Sequence, residues 1–494
     1  MRKVVFLTGG TGGMGRQTIL KMLENPDEIE IRALVRDSKK NREKMNEYGD
    51  RVKVIWGDLT DFDLLTNAME GVDYVFHVGA LLNPYSTDFP ADHVMKTNYG
   101  STLAMLRGIK KFGQEEKTRF VYIGTVEMTG DRMPPIHWGR IGDPLKPSVY
   151  SYYANSKCYS ERAVAESGLK YWASLRQSYM EPVNPNGGNY PIGGEIPYDI
   201  PAEHMDAESS GNLLRNIVLG VPDEFWGNAY NMGAGETGRA TGAEWTRRLG
   251  MDPHDGYLPK WRALHNFHGQ WYLDSDMLEE MVPHRLKTGD DMILDNQMMF
   301  AKLMEGVPVE YLPTPEQTLE NNRKLLSKPG AIINIIEEND TDAIAVWFGS
   351  KAKYDAIPDS WDDFPVVEAS TERTYLDHGY DETKPVSELD LEDMRVAAKF
   401  RGGECLSERM DKGELFVPLR WRCAFGHEFT ARPNTVLKLG HWCPHCLNER
   451  WNYTEQAKRN PFFAQVWTPL HSEDEDTVDV AMEADSRCVD TLFE

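Results

Sequence analysis

The chain is short of three things. It has no apolar run of membrane-spanning length, and its opening MRKVVFLTGG offers only Val4 to Leu7 before a polar, glycine-rich segment, too little for the core of an export signal. It is short of positive charge: 54 Lys and Arg stand against 78 Asp and Glu, a formal net charge of -24. A field of that sign repels nucleic acid phosphates and anionic lipid surfaces, so neither nucleic acid nor membrane is expected as a partner. It is also short of cysteine, with six in 494 residues. Of these, Cys405, Cys423, Cys443 and Cys446 share one late region, while Cys158 and Cys488 lie apart. These shortages predict a soluble cytoplasmic protein whose clustered cysteines hold a metal rather than disulfides.

What is there is a regular alternation. The runs KVVFLTG, IEIRALV, RVKVIWGD, DYVFHVGA, RFVYIGT and WASLRQS are short, nearly continuous in apolar character and rich in Val, Ile and Phe, with helical stretches between them. Buried parallel strands read this way, so the fold class is α/β, a doubly wound parallel (Rossmann) sheet. The length accommodates two or three domains. The boundaries expected are a dinucleotide-binding core over 1–180, a smaller substrate lobe over 181–330, a connecting region over 331–400, a metal module over 401–450, and a C-terminal segment over 451–494 ending in the acidic run SEDEDTVDVAMEAD. Within the lobe, AYNMG reads as a strand; in the connecting region AIINII and AIAVWFG are read as strands too.

TGGTGGMG, residues 8–15, follows the first strand directly and opens a helix. Gly9 permits the tight turn, Gly12 lets backbone approach a pyrophosphate, and Gly15 allows helix to pack on strand. The dinucleotide is therefore expected along Gly9, Thr11, Gly12, Gly13, Met14 and Gly15. At the end of the second strand, where a carboxylate would take the ribose hydroxyls, the chain has Val35 and then Arg36. A guanidinium there suits a 2'-phosphate, with Lys39 and Lys40 adding charge, so NADP is favoured and NAD stays open through Asp37.

YYANSK, residues 152–157, places Tyr153 four positions before Lys157, on one helix face, while Tyr152 is out of phase. A free tyrosine titrates near ~10, and a fixed cation beside the phenol would bring that down. The alternative is a surface helix start with a stacked tyrosine.

Together TGGTGGMG, GDLTD at 57–61, HVGA at 77–80, TNYGST at 97–102, IGTVEMTG at 123–130 and YYANSK resemble the extended short-chain dehydrogenase/reductase family, of the NAD(P)-dependent epimerase/dehydratase kind, up to about residue 330. The resemblance implies that Asp58 and Leu59 hold the adenine, that Val78, Gly79 and Ala80 run along the cofactor, and that Thr125, Tyr153 and Lys157 are the catalytic groups, with Tyr153 and Lys157 also touching cofactor. It implies a homodimer built on the helices beginning near Met95 and Tyr152. Asn98 resembles a family helix Asn, either a proton relay or a local backbone hydrogen-bonder. Three departures bear on the chemistry. Val126 stands where related dehydratases place an acid, which disfavours that reaction and leaves Glu127 as either a second base or a structural carboxylate. Arg176-Gln177 replaces the usual Arg-Pro. The loop 133–147 offers His137, Trp138 and Arg140 as substrate contacts or as packing residues.

Late in the chain, WRCAFGHEF and GHWCPHC place Cys423 and His427 ahead of Cys443 and Cys446. CxxxH with CxxC supplies four ligands for a closed, structural zinc site, with His441 and His445 as rival histidines. Residues 401–450 resemble zinc-ribbon-like modules. The function expected is an NADP(H)-dependent oxidoreductase interconverting a carbonyl and an alcohol on a small organic molecule. The alternatives are a sugar nucleotide epimerase that retains its NAD(P) and a non-catalytic dinucleotide-sensing regulator.

Overall fold

The computed structural model describes residues 2–182, 190–308, 311–478 and 486–490. Residues 183–189, at the start of the expected substrate lobe, and the end of the acidic run (479–485) lie outside the described residues.

Seven parallel strands form one sheet in the order Asn228–Met232, Tyr171–Gln177, Arg119–Thr125, Tyr74–His77, Lys3–Thr8, Ile29–Val35, Val52–Trp56. Its strands are apolar on both faces because helices cover both: Val5, Phe6 and Leu7 have no solvent exposure. The connections run outward in opposite directions from Lys3–Thr8, which opens a crevice beyond the carboxyl ends of that strand and of Tyr74–His77. The doubly wound parallel sheet expected from the sequence is thus present.

The edge strand Asn228–Met232 belongs to this sheet, so the core does not close at residue 180. Helix Ala207–Leu219 also returns to the core and packs on helix Gly13–Met22. Gly211 makes that approach possible, since a Cβ there would sit 2.6 Å from the Gln17 carbonyl carbon. The irregular insertion hides this return, because regular alternation stops before the sheet does.

AIINII and AIAVWFG are not strands. They lie in helices Ile332–Glu337 and Thr341–Phe348, the second capped by Asp340, whose carboxylate accepts from Ala343 N at 3.0 Å. A short apolar run buried on all sides looks alike in either state, and the cap decides here. Ile332, Ile344, Trp347 and Phe348 share one apolar cluster with Tyr453, Phe463 and Val466, so the connecting region and the segment after the metal module form a single cap.

The small antiparallel sheet Glu404–Cys405, Leu419–Arg422, Glu428–Ala431 carries the late cysteine cluster, in the region expected to be the metal module. Its core, around Trp421 and Phe429, also takes in Leu389, Met394 and Ala397, so the module begins before residue 401, with helix Leu391–Phe400 as part of it.

This module lies along the outer side of helix Tyr152–Glu166. Tyr159 donates to Pro444 O, Arg162 NH1 donates to Trp442 O at 2.8 Å, and Arg432 N donates to Glu166 at 2.9 Å. Further on, Tyr99 OH donates to Asp490 at 2.8 Å, and Met95, Tyr99 and Tyr159 pack with Val489. The faces expected to make the dimer contact are therefore filled by this chain's own C-terminal part, and a four-helix contact between copies would have to displace it. Among the described residues no helix is long and apolar enough to cross a membrane.

Candidate dinucleotide and catalytic site

The crevice holds a cleft of about 820 Å3. Of the residues expected at the cofactor, Gly9, Thr11, Gly12, Gly13, Met14, Gly15, Arg36, Asp58, Leu59, Val78, Gly79, Ala80, Tyr153 and Lys157 line it, with Thr125 beside them, while Lys39 and Lys40 do not. Two glycines are required by the geometry. Gly9 has φ +77° and its Cβ would lie 2.8 Å from Gly79 Cα, and a Cβ on Gly15 would lie 2.1 Å from Gly9 O. Gly79 N donates to Thr8 Oγ1 at 2.8 Å, and that hydroxyl lies 3.0 Å from His77 Nδ1, so the two strand ends are tied together beneath the cleft. Burial and then the nearby Lys157 push His77 down to about 3, so this link is a neutral imidazole.

At the second strand's end Asp37 does not turn inward. It forms a two-pronged ion pair with Arg42, both contacts at 2.6 Å, and Arg42 in turn lies 4.6 Å over the Trp56 ring. Arg36 is left on the cleft wall.

Helix Tyr152–Glu166 starts at Ser151, whose hydroxyl accepts from Ala154 N at 3.0 Å. That start puts Tyr153 and Lys157 one turn apart on the cleft side, while the strand Arg119–Thr125 delivers Thr125 opposite. Thr125 Oγ1 accepts from Glu127 N at 3.3 Å. Lys157 Nζ donates to Ile123 O at 2.7 Å and stands 5.7 Å from the Tyr153 ring centre. The phenol is raised rather than lowered, by burial first and Glu127 second, with a hydrogen bond to Thr125 pulling the other way. The expected lowering by Lys157 is absent because burial brings that ammonium itself down to about 7 and it is aimed at a carbonyl. Asn98 is a brace: its Oδ1 accepts from Leu81 N at 2.7 Å and its Nδ2 donates to Leu81 O and to Ser156 Oγ.

Glu127 is buried, hydrogen-bonded by Asn83 at 2.8 Å and Ser151 at 3.2 Å, and raised by burial to about 7. It lines the cleft with two residues the sequence did not single out, His268 and Tyr179. Tyr179 OH donates to His268 O at 2.7 Å. The substitution after Arg176 was the only hint of Tyr179, and nothing in the local pattern marks His268. Arg176 faces away, paired with Glu161 at 2.6 Å. The loop residues are not at the cleft: His137 and Trp138 both bind Ser370 O, and Arg140 holds Glu382 and Leu376 O. They pack against a segment more than two hundred residues away, which no local spacing reveals.

Cys423, His427, Cys443 and Cys446 converge. His427 Nδ1 lies 3.4, 3.7 and 3.6 Å from the three sulfurs, and Cys446 Sγ lies 3.7 Å from Cys423 Sγ. Tetrahedral zinc bonds of the usual length put thiolates about 3.8 Å apart and a thiolate about 3.5 Å from an imidazole nitrogen, so the donor set fits. His441 is engaged elsewhere, 2.9 Å from Glu161, and His445 lies outside the four donors.

Residues 5–189 match the NAD dependent epimerase/dehydratase family, in line with the motifs of that segment. Among relatives, UDP-glucose 4-epimerase of Rickettsia bellii (strain RML369-C) is 34% identical over 100 residues, 19% of this chain and 29% of that protein. The match thus spans less than a third of the epimerase's length. The hybrid PKS-NRPS synthetase mycA of Thermothelomyces thermophilus is 28% identical over 207 residues, 36% of this chain and 5% of that protein. Among solved structures, UDP-glucose 4-epimerase from Bifidobacterium longum with NAD+ and UDP gives a TM-score of 0.48 at 17% identity, covering 62% of this chain and 100% of that one.

Proposed function

We propose that the protein is an NADP(H)-dependent oxidoreductase that interconverts a carbonyl and an alcohol on a small organic molecule. The observation that carries this reading is the convergence of Thr125, Tyr153 and Lys157 on the wall of the cleft that the glycine loop and Arg36 also line. The dinucleotide supplies and accepts the hydride. Thr125 Oγ1 accepts from Glu127 N and is hydrogen-bonded to the Tyr153 hydroxyl, so a substrate oxygen arriving between them would be received by the two hydroxyls together. Burial keeps the Tyr153 phenol protonated at neutral pH, which suits proton donation to that oxygen in the reductive direction. Lys157 spends one N–H on Ile123 O and has others for the ribose hydroxyls. Arg36 meets the 2'-phosphate, and Asp37 beside it is taken up by Arg42. The Cys423, His427, Cys443, Cys446 cluster holds structural zinc.

A second reading, a sugar nucleotide epimerase, is favoured by the 34% identity to a UDP-glucose 4-epimerase. Turnover of cofactor separates the two. Native mass spectrometry followed by NADPH oxidation assays over a panel of small ketones and aldehydes should show an exchangeable dinucleotide that is consumed with substrate. Tightly retained dinucleotide, together with interconversion of UDP-glucose and UDP-galactose without net oxidation, would establish the epimerase instead.

A further inference from the structure

A second chamber, of about 710 Å3, opens from the cleft at Asn83, Glu127 and His268, which line both. Its walls include Tyr150, Phe267 and Trp347, and Glu195, the last residue of the short helix Ile192–Glu195, reaches into it. The two glutamates differ. Glu127 is held by Asn83 and Ser151. The Glu195 carboxyl is half-buried on the chamber wall and has neither hydrogen bond nor ion pair among the described residues, and desolvation raises it to about 7. Lys328 also lines the chamber but does not act on Glu195, and among the described residues no arginine lines it.

A partly desolvated carboxyl without a partner gains most from a ligand that brings a donor or a positive charge to it. A diphosphate arriving instead would meet three carboxyl groups, of Asp88, Glu127 and Glu195, against the one ammonium of Lys328 among the described residues. Aromatic walls, by contrast, tolerate a desolvated organic cation.

We propose that Glu195 anchors a protonated amine of the substrate, so that the carbonyl or alcohol presented to Thr125 and Tyr153 belongs to a small amine-bearing molecule and not to a sugar nucleotide. This rests on the oxidoreductase reading. Glu195 acts by charge at one end of the chamber, while Tyr153 and Thr125 act on the oxygen at the other.

Three probes of one shape test the charge selectivity: benzylammonium, benzyl alcohol and benzoate, titrated calorimetrically into NADPH-loaded protein, with UDP as the diphosphate probe. Benzylammonium should bind about tenfold tighter than benzyl alcohol, the usual worth of one charge-assisted contact, with benzoate weaker still and UDP failing to bind. The ammonium's advantage should grow between about pH 6 and pH 8 as Glu195 ionises. Glu195→Gln should abolish the advantage while leaving NADPH affinity unchanged, and Glu195→Asp should keep part of it. Equal affinity for ammonium and alcohol, no binding of the ammonium, an advantage that survives in Glu195→Gln, or tighter binding of UDP would each overturn the proposal. Failure of the oxidoreductase reading looks different: Tyr153→Phe would then turn over normally while the probe preference stayed intact.

Discussion

The two sides of helix Tyr152–Glu166 are built from unlike information. Tyr153 and Lys157 face the cleft because they are one helical turn apart, behind a Ser151 cap only two residues upstream of the tyrosine. Tyr159, Arg162 and Glu166 face away, and each is held by a residue more than 260 positions later: Pro444, Trp442 and Arg432. The cleft side is a local arrangement, and the outer side is a long-range one. Both sit on one rigid rod, so whatever loosens the outer side should disturb the phenol and the ammonium on the inner side.

The largest effect should come from breaking the metal cluster. Structural zinc in small modules is worth roughly 10–16 kcal/mol of apparent binding free energy, much of it folding free energy. Cys443→Ser should lose the metal, lower the melting temperature and raise hydrogen exchange in 152–166, with NADPH affinity falling as the helix loosens. The expectation that such a closed site leaves the dinucleotide site untouched follows from ligand chemistry alone, and the packing of the module on this helix reverses it. Metal loss with unchanged exchange in the helix would show the two sides to be independent.

Next is the buried junction between module, helix and sheet. Glu161 is paired with Arg176 at 2.6 Å and lies 2.9 Å from His441 of the module. Burial alone would raise its carboxyl, but Arg176 and His441 more than offset this and hold it well below the ordinary range. Removing one partner of a buried pair costs about 3–5 kcal/mol, which sets the expected loss in Glu161→Gln at neutral pH. Because the folded carboxyl is depressed, its contribution is complete above the ordinary glutamate value near ~4.3 and is lost progressively as pH falls from there through the depressed folded value. Denaturant midpoints of wild type and variant should differ at neutral pH and converge in acid.

A smaller effect is expected at the far end of the cleft. Arg36→Ala should weaken NADPH by about 1.5 to 3 kcal/mol, as for a lost hydrogen bond to a charged group, and leave NADH nearly unchanged. Fluorescence titrations with both cofactors measure it, and equal losses would point back to Asp37 and NAD. The smallest effect should be that of dilution on molecular mass. With the outer face filled by Pro444, Trp442 and Val489, light scattering should give a monomer throughout the micromolar range, and a stable dimer would mean that the C-terminal part can leave that face.

What the sequence made legible follows the same division. The parallel sheet, the glycine loop and the Tyr–Lys pair are each encoded within a few neighbouring residues, by strand composition, by backbone that only glycine permits, and by helical phase. The meeting of Cys423, His427, Cys443 and Cys446 is nearly as local, since each half of the cluster is a short spacing. His268, Glu195 and the engagement of Arg140 by Glu382 have no local signature, because each depends on segments that meet only after folding. The helices at 332–337 and 341–348 were read as strands for a related reason: six or seven apolar residues fit either period, and burial against Tyr453 and Phe463 is a tertiary fact.

The most direct test of the catalytic reading is the turnover of Tyr153→Phe set beside Tyr152→Phe, on a substrate found in the carbonyl screen, with folding and NADPH affinity checked in both. Losing only a hydroxyl on the cleft side, Tyr153→Phe should stay folded, bind cofactor and fall by about 10²- to 10⁴-fold in rate, the usual worth of a general acid. Tyr152→Phe, out of phase with Lys157 and lying against Arg450 of the C-terminal part, should cost far less. Wild-type turnover by Tyr153→Phe would contradict the reading, and would leave the cleft as a dinucleotide-binding site without the proposed chemistry.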